Sequence, residues 1–300
     1  AMYVSGGTDL YPNMKRRQFE PKVLIGLRNL PDLKGVSVGE GVTIRAGTTL
    51  TELAADPHVN ERYPALARAA GLVSSPSLRN IGTIGGNLCV DTRCTYYNQT
   101  YAWRKALGFC LKKDGDTCWV ALSSPICKAV SSTDCAPVAI ALGATATLLG
   151  PHGERTVPLD SLYRDDGLAY LAKSPDEILT ALHLPPLVGY RSTYLKLRRR
   201  GTIDFPILGV AVALKINADG TCADARIVLG AVRSYPLPVP EAAAVLIGYQ
   251  LTPERIAQAA AVAAKPAHPL DNTDMALSYR KKVTPVYVER ALREIAGLAG

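Results

Sequence analysis

Four cysteines, Cys94, Cys110, Cys118 and Cys127, fall within 34 residues at the spacing C-x15-C-x7-C-x8-C. Four thiols this near in sequence can ligate zinc, hold an iron–sulfur cluster or close two disulfides. Zinc sites usually pair their cysteines in short knuckles, and these wide gaps do not. The same stretch carries many basic and aromatic residues: Arg93, Tyr96, Tyr97, Trp103, Arg104, Lys105, Lys112 and Lys113. Directly before it stands Arg79-Asn-Ile-Gly-Thr-Ile-Gly-Gly-Asn-Leu88, and near the start of the chain Tyr3-Val-Ser-Gly-Gly-Thr-Asp-Leu10. Glycines let a backbone come close to an anion, and the free N–H groups at a helix start can point at it. One two-glycine turn is more often only a turn; two such loops ahead of residue 90 point to a phosphate-bearing ligand. Neither follows G-x-G-x-x-G, which disfavours a Rossmann fold. Phosphate-cradling loops beside four thiols tilt the chemistry toward redox.

These residues need elements to position them. The pattern predicts a strand over 2–5, a helix over 9–17, a short buried strand over 22–26 and a hairpin over 36–46 that turns at Gly39-Glu-Gly41. Helices are expected over 51–56 and 63–70, with Thr49 or Thr51 as an N-cap. Residues 88–130 read as a long irregular stretch, and an insertion of that length in a compact domain is usually functional. A short helical segment over 134–142 and strands over 144–149 and 178–184 complete a first domain, 1–186, with the cysteine-rich insertion at about 89–130. Beyond Pro185-Pro186, strands over 193–197, 208–216 and 223–229 precede Ala- and Leu-rich helices over 240–246, 253–264 and 273–298, giving a second domain at 190–300. Strands first and helices packed on one face is α+β order.

Composition narrows the class. Hydrophobic content of 48% and charged content of 20% are ordinary for a globular protein, and no apolar run reaches a membrane span. The first residues lack the basic-then-apolar pattern of a signal peptide, and seven cysteines is an odd number. Both lead us to expect a reducing, cytoplasmic setting, where cysteines more often bind metal than pair. A net charge of +8 allows nucleic-acid binding, but no binding motif and only three Phe accompany it, so none is expected. Cys89, between Leu88 and Val90, reads as a buried thiol, and Cys135 and Cys222 as packing. His58, His152, His183 and His268 show no ligand spacing.

Gly6-Gly-Thr-Asp-Leu10, Arg79–Leu88, Ser132-Thr-Asp134, Glu177-Ile-Leu179, Tyr194-Leu-Lys196 and Ser278-Tyr-Arg280 occur in an order that resembles the FAD-binding subunit of the molybdenum hydroxylases. The resemblance runs along essentially the whole chain. It implies a two-part FAD-binding domain, a small α/β subdomain plus a larger mixed or antiparallel sheet. A C-terminal domain with a three-stranded antiparallel sheet and a helical bundle would follow. It implies a first flavin loop of Val4, Ser5, Gly6, Gly7, Thr8, Asp9 and Leu10, and a second of Gly82, Thr83, Gly85, Gly86 and Asn87. Thr133, Asp134, Ile178, Leu179 and Lys196 would complete the pocket. Members of the family begin with a further strand–helix unit, so the edge of the small subdomain is left open. The four-cysteine segment is similar to that of one branch, 4-hydroxybenzoyl-CoA reductase. There it implies a [4Fe–4S] cluster on Cys94, Cys110, Cys118 and Cys127; zinc, or thiols without a ligand, remain alternatives. The resemblance further implies a large molybdopterin subunit with the substrate, a small [2Fe–2S] subunit, and ferredoxin as electron donor. Arg104, Lys105, Lys112 and Lys113 would suit docking an acidic ferredoxin. The alternative is an aldehyde-, purine- or CO-type hydroxylase passing electrons out to NAD, quinone or oxygen. Related aldehyde oxidoreductases can carry cysteine-rich insertions too.

Overall fold

The computed structural model describes residues 1–298; the last two residues of the expected second domain lie outside them. The chain opens with β1 (Met2–Val4), α1 (Leu10–Lys15) and β2 (Leu24–Gly26), with β1 and β2 paired in parallel. α1 is shorter than the expected 9–17 because Arg17 takes a left-handed backbone (φ 54°) that a helix cannot continue through. The hairpin β3 (Val36–Val38) and β4 (Val42–Arg45) follows as the alternation predicts.

Four short helices then stack beside it: α2 (Leu50–Ala55), α3 (Pro57–Arg62), α4 (Pro64–Leu72) and α5 (Pro76–Arg79). Each of the last three begins on a proline, which is favourable in a first turn and ends the preceding helix. Thr49 and Glu52 form a capping box on α2, so the expected cap at Thr49 holds. α6 (Ile84–Leu88) carries the second glycine loop, α7 (Tyr101–Ala106) lies inside the cysteine stretch, and α8 (Cys135–Ala141) follows it.

β5 (Thr145–Gly150), β6 (Gly153–Pro158) and β7 (Ile178–Leu184) complete an antiparallel sheet ordered β3-β4-β7-β5-β6. β6 was not legible in the sequence. It is an exposed edge strand, Gly-Glu-Arg-Thr-Val-Pro, with no buried alternation to mark it. β7 is the central strand, and its first residues, Ile178 and Leu179, are thereby fixed beside the glycine loops.

The second domain is built on β8 (Tyr190–Leu197), β9 (Leu208–Ile216) and β10 (Cys222–Gly230), with a two-residue edge strand, β11 (Leu237–Pro238), that the expected three-stranded sheet lacked. α9 (Pro240–Leu246), α10 (Pro253–Ala264) and α11 (Leu277–Ala296) follow. β9 explains how the two domains join. Val210, Val212 and Leu214 face the core under α9–α11, whereas Ala211 and Ala213 face the core of the first domain. The small alanines let α8 of the first domain lie directly on this sheet. Among the described residues no helix is long and apolar enough to cross a membrane.

Candidate functional site

The two glycine loops meet. A side chain on Gly6 would overlap the Ile81 carbonyl, and one on Gly85 would come within 2.7 Å of Ala46 Cβ, so both positions require glycine for close approach. Ser5 Oγ and Thr83 Oγ1 lie 3.0 Å apart and join the loops, while Thr83 Oγ1 accepts the Gly86 N–H at 3.1 Å. Around this junction lies a cavity of 480 Å³, within the usual range for a bound small molecule. Val4, Ser5, Gly6, Gly7, Thr8, Asp9, Leu10, Gly82, Thr83, Gly85, Gly86, Asn87, Ile178 and Leu179 all line it. The amides of Gly6, Gly7 and Thr8 find no backbone acceptor among the described residues. Donors left unclaimed on a concave, glycine-lined turn suit a diphosphate. This arrangement fits FAD.

Thr133, Asp134 and Lys196 lie behind the cavity wall instead of on it. Thr133 Oγ1 (2.8 Å) and the Cys135 amide (3.1 Å) both donate to Asn87 Oδ1, which commits the oxygen of Asn87 and leaves its NH2 as the group it can offer. Lys196 Nζ donates to Asp134 Oδ2 and to the Leu72 carbonyl, and Tyr194 donates to Asp134 Oδ1 at 2.9 Å. Burial lifts the Asp134 carboxyl; the Lys196 ammonium and the Tyr194 hydroxyl act against that rise. A buried pair of this kind pins α8, α4 and β8 together under the second loop.

Glu177, just ahead of Ile178, accepts a forked bond from Arg155 (2.5 and 2.9 Å) and the Ser174 N–H (2.7 Å). The Arg155 guanidinium and then the Ser174 amide hold its carboxyl down at about 2, against an ordinary 4.5. The clasp is therefore complete above pH 4.5 and is lost as the pH falls toward 2. Melting temperature followed against pH should drop across that window in the natural protein. In Glu177→Gln it should start lower and change less there.

Sequence reasoning missed several residues of the cavity. Asp91 and Tyr170 line it, and Phe205 reaches it from the second domain. The Arg93 guanidinium pairs with Asp9 of the first loop and lies 4.4 Å from the Phe205 ring centre. Tyr163 and Tyr170 donate to the carbonyls of Leu88 and Cys89 at 2.9 and 3.0 Å, fixing the exit of α6. Lone aromatic and acidic residues carry no spacing signal that could have found them. Cys89 also lines the cavity, and burial pushes its thiol up to about 11.

The four spaced cysteines are all buried and free, and Cys94, Cys110 and Cys127 share a small core with Tyr97 and Ala129. Cys94 lies near enough to Cys110 and Cys118 for their charges to interact, and Cys127 likewise to Cys94 and Cys118. The four thiols therefore lie in one neighbourhood. Burial pushes Cys94 up to about 11 and Cys127 up to about 12, while backbone N–H groups on the sulfurs, from Tyr96, Tyr97 and Ala129, oppose it. Among the described residues no three His, Cys, Asp or Glu side chains are placed to hold a single metal ion. Four soft donors, one of them with the Ala129 N–H on its sulfur at 3.4 Å, are of the type that would suit an iron–sulfur group.

The expected docking face does not survive. Arg104 is buried and donates to the carbonyls of Arg16 and Arg17 at 2.8 and 3.1 Å, and Lys112 is buried in a salt bridge with Asp91. Lys113 is partly buried and pairs with Asp114, so of the four cations only Lys105 stands exposed. Charge in a sequence does not say which way a long side chain points. The second domain also reaches the thiols. Arg280, fully buried, donates to the carbonyls of Leu270 and Ala231 and to Asn272 Oδ1. Asn272 in turn holds the Thr95 amide (3.0 Å) and the Lys128 carbonyl (2.6 Å), the neighbours of Cys94 and Cys127.

Comparison with known proteins agrees with this geometry. Residues 1–187 match the family described as FAD binding domain in molybdopterin dehydrogenase, and residues 192–295 match the CO dehydrogenase flavoprotein C-terminal domain. The chain is 30% identical over 291 residues to the carbon monoxide dehydrogenase medium chain of Afipia carboxidovorans, covering 96% of this chain and 86% of that one. It is 31% identical over 257 residues to the aldehyde oxidoreductase FAD-binding subunit PaoB of Escherichia coli, covering 82% and 79%. Among solved structures, a chain of the Cu,Mo-CO dehydrogenase superposes with a TM-score of 0.80 at 29% identity, covering 99% of this chain and 90% of that one.

Proposed function

The chain belongs to the family of FAD-binding domains of molybdopterin dehydrogenases, and on that premise we propose that it is the flavin-carrying, electron-transferring subunit of a molybdenum hydroxylase complex. The observation that carries this reading is the cavity at the junction of two glycine loops, with the amides of Gly6, Gly7 and Thr8 unclaimed. Bound FAD would supply the exchange of electrons in single or paired steps. The chain's own residues do the rest. Gly6, Gly7 and Thr8 offer their free amides to the diphosphate, Thr83, Gly85 and Gly86 form the facing wall of the second loop, Ile178 and Leu179 offer apolar wall, and Asn87 offers its NH2. Thr133, Asp134 and Lys196 act by holding Asn87 and α4 in place. The flavin domain spans 1–186 and the second domain 190–300. Relatives named as medium chains and FAD-binding subunits support a hetero-oligomer with a large molybdopterin subunit and a small [2Fe–2S] subunit. Their names, dehydrogenase and oxidoreductase, favour electron flow outward, to NAD, quinone or oxygen.

A second reading is favoured by one observation, the four buried thiols brought to one place. In it Cys94, Cys110, Cys118 and Cys127 hold a [4Fe–4S] cluster that takes electrons from ferredoxin, and the complex reduces an aromatic thioester of the 4-hydroxybenzoyl-CoA kind. Iron and flavin content of the anaerobically purified complex tests the cofactors, with about four iron beyond those of the small subunit and one FAD expected. A chain without FAD would overturn the family-based reading. Turnover with reduced ferredoxin compared with NAD, quinone and oxygen separates the two directions of flow.

A further inference from the structure

Lys112 is drawn inside between the thiols and the cavity, with only 5% of its side chain exposed. Its ammonium donates to Asp91 Oδ1 at 2.7 Å, Thr92 Oγ1 at 2.6 Å and the Gly167 carbonyl at 2.6 Å, so every one of its hydrogens is used. It also lies 4.9 Å from the Tyr97 ring centre and 5.5 Å from that of Tyr170. These partners belong to two different centres. Asp91 and Tyr170 line the cavity. Tyr97 packs with Cys94, Cys110 and Cys127, and the Gly167 amide donates to the Cys127 carbonyl at 2.8 Å. Asp91 Oδ2 is buried with no hydrogen bond of its own, so the carboxylate depends on Lys112 and Thr92 for its compensation.

We propose that Lys112 is a positioning residue that links the two redox sites: it ties the cavity wall to the cysteine segment, and its fixed charge, opposed by Asp91, sets the potential of the flavin. The inference rests on the reading of the cavity as an FAD site and of the thiols as a cluster site. A buried charge acts over a longer range than an exposed one because little water or salt screens it. Reduction adds negative charge to the flavin. Removing the ammonium therefore disfavours reduction, and removing the opposing carboxylate favours it.

The test is an anaerobic redox titration of the flavin in the holo complex, comparing the natural chain with Lys112→Met, Lys112→Arg and Asp91→Asn. Lys112→Met should shift the flavin midpoint to lower potential, Asp91→Asn should shift it to higher potential, and Lys112→Arg should stay near the natural value. A purely structural role would not give shifts of opposite sign. Shifts in the same direction, or none, overturn the proposal. If Lys112→Met does not retain FAD, the other two decide: an unshifted or lowered midpoint in Asp91→Asn, or a lowered one in Lys112→Arg, overturns it. A natural complex lacking FAD or the extra iron instead overturns the reading beneath it.

Discussion

Gly6→Val yields a folded chain that holds no FAD after purification. The added side chain has no room, because its Cβ would overlap the Ile81 carbonyl and lie 3.0 Å from Gly82 Cα, and both obstacles are backbone. Backbone cannot swing aside as a side-chain tip can, so the two loops must part. Parting them breaks the Ser5–Thr83 contact and displaces the free amides of Gly6, Gly7 and Thr8 from the second loop that faces them. A loss of about 3 kcal/mol, or roughly 100-fold in affinity, is the scale expected when several charge-assisted bonds to a diphosphate lose their geometry. Gly6 lies outside the two large cores, so far-UV circular dichroism should be nearly unchanged. Flavin released by denaturation, counted per chain, is the measurement. Stoichiometric FAD in Gly6→Val would show that the glycine loops are not the binding site.

On the cluster reading, Cys110→Ser should remove the extra iron from the complex and leave the flavin in place. Cys110 belongs to a small buried cluster distinct from both larger cores, and it does not line the cavity. A serine oxygen is a harder, less acidic donor than a thiol and is a poor substitute toward iron. The broad visible absorption beneath the flavin bands should fall, and iron should drop by about four per chain. Cys222→Ser is the control. Cys222 is buried in the second domain and its Sγ bonds the Asp224 carbonyl at 3.3 Å, a role a hydroxyl can fill, so iron should not change. Iron equal in both variants would assign the thiols to packing alone.

The parts of this protein that its sequence determined are those that depend on local demands. A glycine needed where two backbones touch must be glycine, so Gly6 and Gly85 stand out without any structure. Alternation marked the strands with one buried face, and the cap at Thr49 marked a helix start. The order of these motifs sufficed to place the chain near its family. Four cysteines within one insertion suggested a soft-ligand site, but that all four are buried was visible only in the fold.

Tertiary structure alone decided where the charged residues went. Arg104 and Lys112 look like surface cations in the sequence, yet each is buried: a carboxylate, a carbonyl and aromatic faces replace the water around Lys112, and the carbonyls of Arg16 and Arg17 hold one nitrogen of Arg104. Asp134 and Lys196 lie 62 positions apart and meet only because β8 and α8 both pack on α4. Asp91, Tyr170 and Phe205 converge on one cavity from three segments. β6 is a strand only because β5 is there to pair with it. Periodicity and spacing report what a residue needs from its near neighbours. Compensation of a buried charge comes from partners that the chain brings near only when it is folded, and no local pattern records them.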